Sequence, residues 1–162
     1  MAVDIDSDTL AAVVTLWTTD ATLPGLFKEP IRSGRIKAPQ ATGGVYGDRE
    51  FPYAQATCEL DRRELSGTGG AWFDYRKVTL RAWGKKDQAS AALAAMLARF
   101  NLGLPSTADA AGRATIVFPS GERFIQFWPL DGGTIAEDKD VKAGFDVWVA
   151  TVTGRVWSIR AA

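Results

Sequence analysis

Residues 77–101 read KVTLRAWGKKDQASAALAAMLARFN, and the reading of this stretch decides the fold. Its first half alternates. Val78, Leu80 and Ala82 fall on one side of an extended chain, and Lys77, Thr79, Arg81 and Trp83 on the other. Strand side chains point to opposite faces with a period of two, so one face is apolar and the other largely polar. Gly84 breaks the strand, Lys85 and Lys86 follow as solvated charges, and Asp87 stands where an N-cap is expected. The spacing then predicts a helix over 87–100. Ala91, Ala94, Ala95 and Ala98 give it a slim face beside Leu93, Met96, Leu97 and Phe100, and small residues let a helix lie close to a sheet. Alanine is also the best helix former, so part of the run is propensity alone. A phosphate-binding strand-turn-helix needs glycines that this joint lacks, so its role is structural.

The same reading extends in both directions. FPYAQATCEL (51–60) is a strand with Pro52 at its start, where a missing N–H is tolerated. DRRELSGTGG (61–70) is a polar, glycine-rich connector, and AWFDYRKVTLRAW (71–83) is the clearest strand of the chain. Together they predict an antiparallel hairpin with a long tip. Nearer the start, Ser7 can cap a first helix, with Asp8 in its first turn and Leu10, Val13, Val14 and Trp17 on one apolar face. TTDATLPG (18–25) closes it. A loop with Pro30, Gly34, Pro39, Gly43, Gly44 and Gly47 follows, holding one short strand near RIKA (35–38).

Downstream, a loop with Gly103, Pro105 and Gly112 leads into ATIVFPSGERFIQFWPL (114–130), two strands around a PSGE turn. DGGTIAEDKDVKAG (131–144) is a polar excursion, and FDVWVATVTGRVWSIR (145–160) a final strand. In that strand Phe145, Val147, Val149 and Thr151 share one face, and Trp148, Ala150 and Val152 the other. Helix, two strands, helix, three strands is the order of an α+β domain: a single antiparallel sheet with two helices packed on one face, and long loops. At 162 residues one domain over 1–162 is expected.

Composition narrows the chemistry. Nineteen Lys and Arg balance nineteen Asp and Glu. That balance argues against tight, sequence-independent nucleic-acid binding, which needs an excess of basic residues on some face. The chain has no histidine, which removes Ser-His and Cys-His nucleophilic sites and the usual His-containing metal sites. Cys58 is the one cysteine and lies in an apolar strand pattern, where core packing is the expectation. The opening MAVDIDSDTL is acidic, with neither the basic nor the apolar region of a signal peptide, and no apolar run has the length to span a bilayer. Folding in a cytosol is expected.

Each candidate site has a plainer reading. GTGG (67–70) precedes a strand instead of a helix and reads as a flexible hairpin tip; DGG (131–133) is a turn signal. EDKD (137–140) is interrupted by Lys139 and lacks the closing acid of a calcium loop, so it reads as a solvated or partner-facing loop. Asp74, Asp146 and Glu122 could pair in space as carboxylates for acid–base work, but none sits in a supporting motif, and no serine lies in a nucleophile elbow. No catalytic residue, metal or cofactor is assigned, and the chain is expected not to be an enzyme. Trp83 shares its face with Lys77, Thr79 and Arg81. If the helices cover the other face, Trp83 needs cover from elsewhere in the chain or from a neighbouring subunit.

The order of elements resembles that of the small tail-terminator, or tail-completion, proteins of long-tailed bacteriophages. The resemblance rests on an amino-terminal amphipathic helix ending near Trp17 and on FPYAQATCEL, similar to the strand that this family opens with a Pro-Tyr pair. It rests also on VTLRAWGKKDQASAALAAMLARF and on a late segment ending in FDVWVATV. The loops at 33–47 and 61–70, and EDKD, have no match in it.

The resemblance implies a non-enzymatic homo-oligomer, a hexameric ring on the last ring of the tail tube. It would end tube growth and offer a surface to the head-side connector protein. Its place would be the tail or neck of a virion assembled in the host bacterial cytoplasm, with DNA passing through unrecognised and no membrane or cofactor involved. Another ring-forming head-tail adaptor or tube-type subunit of a phage or phage-like particle is the alternative, followed by a small-molecule-binding or enzymatic α+β domain. For subunit contacts the sequence offers two sets. One is the loop charges Arg62, Arg63, Glu64, Glu137, Asp138, Lys139 and Asp140, and the other is the Lys77, Thr79, Arg81 and Trp83 face.

Overall fold

Three strands of 13 residues each form the centre of the structure, a computed structural model that describes residues 5–33, 41–42, 45–46, 52–65, 72–100, 123–139 and 146–160. They are β4 (Tyr53–Leu65), β5 (Trp72–Gly84) and β8 (Trp148–Arg160). All are antiparallel, with β5 in the middle. Around them lie helix α1 (Ile5–Thr18), a 3-10 turn (Leu23–Leu26), β1 (Arg32–Ser33), β2 (Ala41–Thr42), β3 (Val45–Tyr46), helix α2 (Lys86–Phe100), β6 (Arg123–Pro129) and β7 (Thr134–Glu137). The sheet runs β1-β4-β5-β8-β6, with β7 also on β8, while β2 and β3 pair apart from it. The α+β class expected from the sequence is the one observed. The sheet departs from a purely antiparallel one at its edge, where β1 lies parallel to β4 against Gln55 and Ala56.

Among the described residues, β6 and β7 are successive pieces of one interrupted strand at the edge of the sheet. Pro129 lies opposite Gly154 and Thr134 opposite Thr151, and between them Leu130 N donates to Thr153 O at 2.9 Å. The interruption is the DGG turn. Asp131 Oδ1 accepts from Gly133 N, and Gly133 has φ +76°, a left-handed conformation that suits glycine. A Cβ on Gly133 would lie 2.5 Å from Leu93 Cδ1 of α2, so the helix seats against the break itself.

The core lies between the helices and one face of the sheet. Ala54, Ala56, Val78, Leu80, Ala82, Ala150, Val152 and Val156 line that face, under Leu10, Val13, Leu16 and Trp17 of α1 and Ala89, Ala92, Met96 and Phe100 of α2. Helix α1 packs over β4, and α2 over β5 and β8. Trp17 joins the two helical elements, with its ring 6.4 Å from Phe100 and 5.3 Å from Phe27. Arg99 of α2 ties α1 down. Its Nε donates to Leu16 O at 2.9 Å, a carbonyl in the last turn of α1, and Asp20 lies 3.9 Å away. A cation there meets both an otherwise unsatisfied acceptor and the negative end of the helix dipole.

Local details differ from the sequence reading. The buried stripe of α2 is Ala89, Ala92, Met96 and Phe100, whereas Ala91, Ala94 and Ala98 face solvent and only Ala95 packs against the core. Large side chains with high transfer energy set the rotation of a helix, and alanines that merely favour helix can lie anywhere on it. Asp87 lies inside the first turn. The cap is made instead by Gln88, whose Oε1 accepts from Lys85 N at 2.9 Å, half of a capping box. A Cβ on Gly84 would lie 2.8 Å from that same Oε1, so a side chain there would displace the cap. Helix α1 already begins at Ile5, which places Ser7 in its first turn instead of ahead of it. β4 continues through Leu65, so Arg62, Arg63 and Glu64 belong to a strand and not to a loop at a hairpin tip. RIKA (35–38), the first strand of the PSGE pair, GTGG and Asp140 lie outside the described residues.

Candidate functional site

The helices leave the second face of the sheet to be explained. Register fixes its residues in rows across β4, β5 and β8: Tyr53–Trp83–Val149, Gln55–Arg81–Thr151, Thr57–Thr79–Thr153, Glu59–Lys77–Arg155 and Arg62–Tyr75–Trp157. A shift between Leu60 and Arg62 keeps the alternation in step past the middle of β4. The Lys77, Thr79, Arg81 and Trp83 face of the sequence reading is therefore a real face, and Arg62 and Glu64 lie on it.

Its two ends differ. At the first row Tyr53 stacks on Trp83 with centroids 4.9 Å apart, and both are buried together with Val147. Trp83 Nε1 donates to Asp138 Oδ2 at 3.1 Å, and Asp138 N donates to Val147 O at 2.8 Å. So Trp83 has its cover within the chain. The carboxylate of Asp138 holds the end of β7 onto the sheet. Glu137 and Lys139 beside it are exposed.

The other end is more open. Arg62 lies over the Tyr75 ring at 4.4 Å, Tyr75 is parallel to Trp157 within 10°, and Phe73 approaches Trp157 at 5.5 Å. The three rings are half-buried. Arg62 pairs with Glu64 at 3.2 Å and Lys77 with Glu59 at 3.6 Å, all four side chains more than 40% exposed. Pairs that wet contribute little to stability and leave their charges readable by a partner. Tyr75, Trp157, Arg155 and Glu59 were not picked out from the sequence. Carrying the alternation of 77–83 back to residue 73, and pairing it with the last strand, would have found three of them.

The carboxylates considered for acid–base work do not meet. Asp74 is buried on the helix side with Arg76 at 3.2 Å, whereas Asp146 precedes β8 and accepts from Trp148 Nε1 at 2.6 Å. Asp74 lies opposite Ser158, near the far end of β8, roughly 33 Å along the strand from Trp148, which Asp146 precedes. Glu122 lies outside the described residues. Cys58 packs half-buried against the main core. What the described surface offers is a wide, mixed-charge sheet face with aromatic rings at both ends, an arrangement suited to contact with a macromolecule.

By architecture the chain is an α+β domain with two helices on one face of a mainly antiparallel sheet and a broad second face without them. Among solved structures this fold is shared by a chain of the "Virion of native gene transfer agent (GTA) particle", at a TM-score of 0.58 and 15% identity. The likeness covers 98% of this chain and 100% of that one, and at this identity it is a likeness of fold. No family model and no curated protein matches the sequence.

Proposed function

We propose that the protein is a structural subunit of a phage-like virion, and within it a tail terminator. Copies form a ring, hexameric in our reading, that caps the tail tube, stops its polymerisation and presents a surface to the head-side connector, with DNA passing through unbound. One observation carries this. The chain shares its fold with a chain of a virion particle over 98% of its own length and 100% of the other's, which supports the virion part of this reading. Two features of the molecule support it. The second sheet face carries the mixed charge and aromatic rings of a protein-contact surface, and the chain's charges sum to zero, as suits a component whose partners are proteins.

The mass of the native protein tests the ring. Light scattering on the purified chain, alone and mixed with tail tubes, is expected to give a closed oligomer in solution or on tube ends. A chain that stays monomeric under both conditions contradicts the proposal. A ring-forming adaptor or tube-type subunit would pass this test, and the tails themselves separate it from a terminator.

A further inference from the structure

The open face carries its cations in a strip. Arg81 and Lys77 lie along β5, and Lys77 is directly opposite Arg155 of β8. Like charges facing each other on adjacent strands repel. Glu59 answers Lys77 loosely at 3.6 Å, but exposed Arg81 meets no carboxylate among the described residues. Beside them, the Nε1–H of Trp157 is shut off from water and finds no acceptor. A buried donor without a partner is costly but lies beyond a docked group's reach; what the strip leaves to be met from outside is the exposed guanidinium of Arg81 and the loosely paired Lys77.

The same chain carries the complement elsewhere. Glu137 at the end of β7 and Asp131 in the DGG break are exposed, and neither pairs with a Lys or Arg among the described residues. Between β6 and β7, Leu130 is the large apolar side chain that the described surface leaves exposed, at 46%. β8 separates this acidic edge from Arg81, two strand spacings or about 10 Å away. Among the described residues one copy leaves Arg81, Asp131 and Glu137 without a charge partner; two copies placed head to tail can supply it.

We infer that the edge formed by Leu130, Asp131 and Glu137 docks on the basic strip of the next copy, at Arg81 and Lys77. The inference rests on the ring proposed above and supplies its repeated contact. An edge meeting a face is a heterologous contact, the kind that closes into a ring. A second copy fits the strip better than nucleic acid does. Glu59 and Glu64 lie on the same face and would oppose phosphates, whereas carboxylates arriving singly can pass between them.

Charge exchange tests it on the full chain. Assembly is followed by analytical ultracentrifugation across a concentration series, and by co-sedimentation with tail tubes from particles lacking this protein. Arg81→Glu and Glu137→Lys, each at an exposed site, are expected to raise the assembly midpoint about tenfold or more. The double variant is expected to return to within about threefold of the wild type. Circular dichroism of each variant should match the wild type. If the wild type assembles and neither reversal moves the midpoint, the inference is overturned and the ring stands. If Arg81→Glu leaves assembly unchanged but abolishes binding of a duplex oligonucleotide, the strip belongs to nucleic acid and the inference is overturned. A wild type that assembles under neither condition removes both the inference and the ring.

Discussion

Trp83 and Asp138 are 55 residues apart in sequence and joined by one hydrogen bond, indole Nε1 to carboxylate Oδ2 at 3.1 Å. That bond closes the end of the sheet on the side away from the helices, over the stack of Tyr53 on Trp83. Asp138→Ala removes the acceptor and leaves a part-buried N–H behind. It should cost about 1–3 kcal/mol in urea unfolding, whereas Trp83→Phe with Asp138→Ala should cost less than the sum of the two single changes.

Gly133 is expected to tolerate no side chain. Its φ of +76° and the 2.5 Å approach of Leu93 Cδ1 to a built Cβ add conformational strain to a clash. Gly133→Ala should lower stability by roughly 1–3 kcal/mol. Adding Leu93→Ala should recover the clash but not the strain, so the double variant should be more stable than additivity allows. Thermal melts of the four proteins read this directly.

The rotation of α2 can be tested by contrast. Met96 is fully buried and Ala94 exposed on the same helix. Met96→Ala should cost about 2–5 kcal/mol by loss of core contacts. Ala94→Ser should cost no more than the difference in helix propensity, about 0.5 kcal/mol. Chemical denaturation that gave the two changes equal effects would mean that the helix presents a different face.

The buried pair on the helix side makes a further prediction. Asp74 and Arg76 sit 3.2 Å apart with side chains 2% and 1% exposed. Asp74→Ala leaves a buried guanidinium without this carboxylate and should cost about 3–5 kcal/mol, while Asp74→Leu with Arg76→Met should be milder than the single change. Equilibrium unfolding decides between a costly single and a costly double.

How much of this was legible in the sequence depends on which force decides each element. The alternation from Lys77 to Trp83 is strict, so the strand, its apolar face and its polar face are read correctly from residue type alone. α1 is equally plain, because Leu10, Val13 and Trp17 repeat at helical spacing. α2 is harder. Its alanines are neutral markers of burial, and of the four expected on the slim face Ala91, Ala94 and Ala98 are exposed while Ala95 packs against the core. The extent of β4 is missed because Arg62 and Glu64 are charged and adjoin a glycine-rich segment. They stay in the strand because β5 continues opposite them, a tertiary effect. The bond between Trp83 and Asp138 leaves no local signal at all. Of the candidate interface, Lys77, Thr79, Arg81 and Trp83 are visible by period and the same alternation carried back reaches Tyr75, whereas Arg155 and Trp157 join them only through the register of β5 with β8.

If the protein ends the growth of a tail tube, as proposed, tail length depends on its presence. Particles made without the protein, imaged by negative stain, should carry tails of broad and extended length that fail to join heads, and supplying the protein should restore one sharp length. Tails of normal, fixed length in its absence would contradict the account.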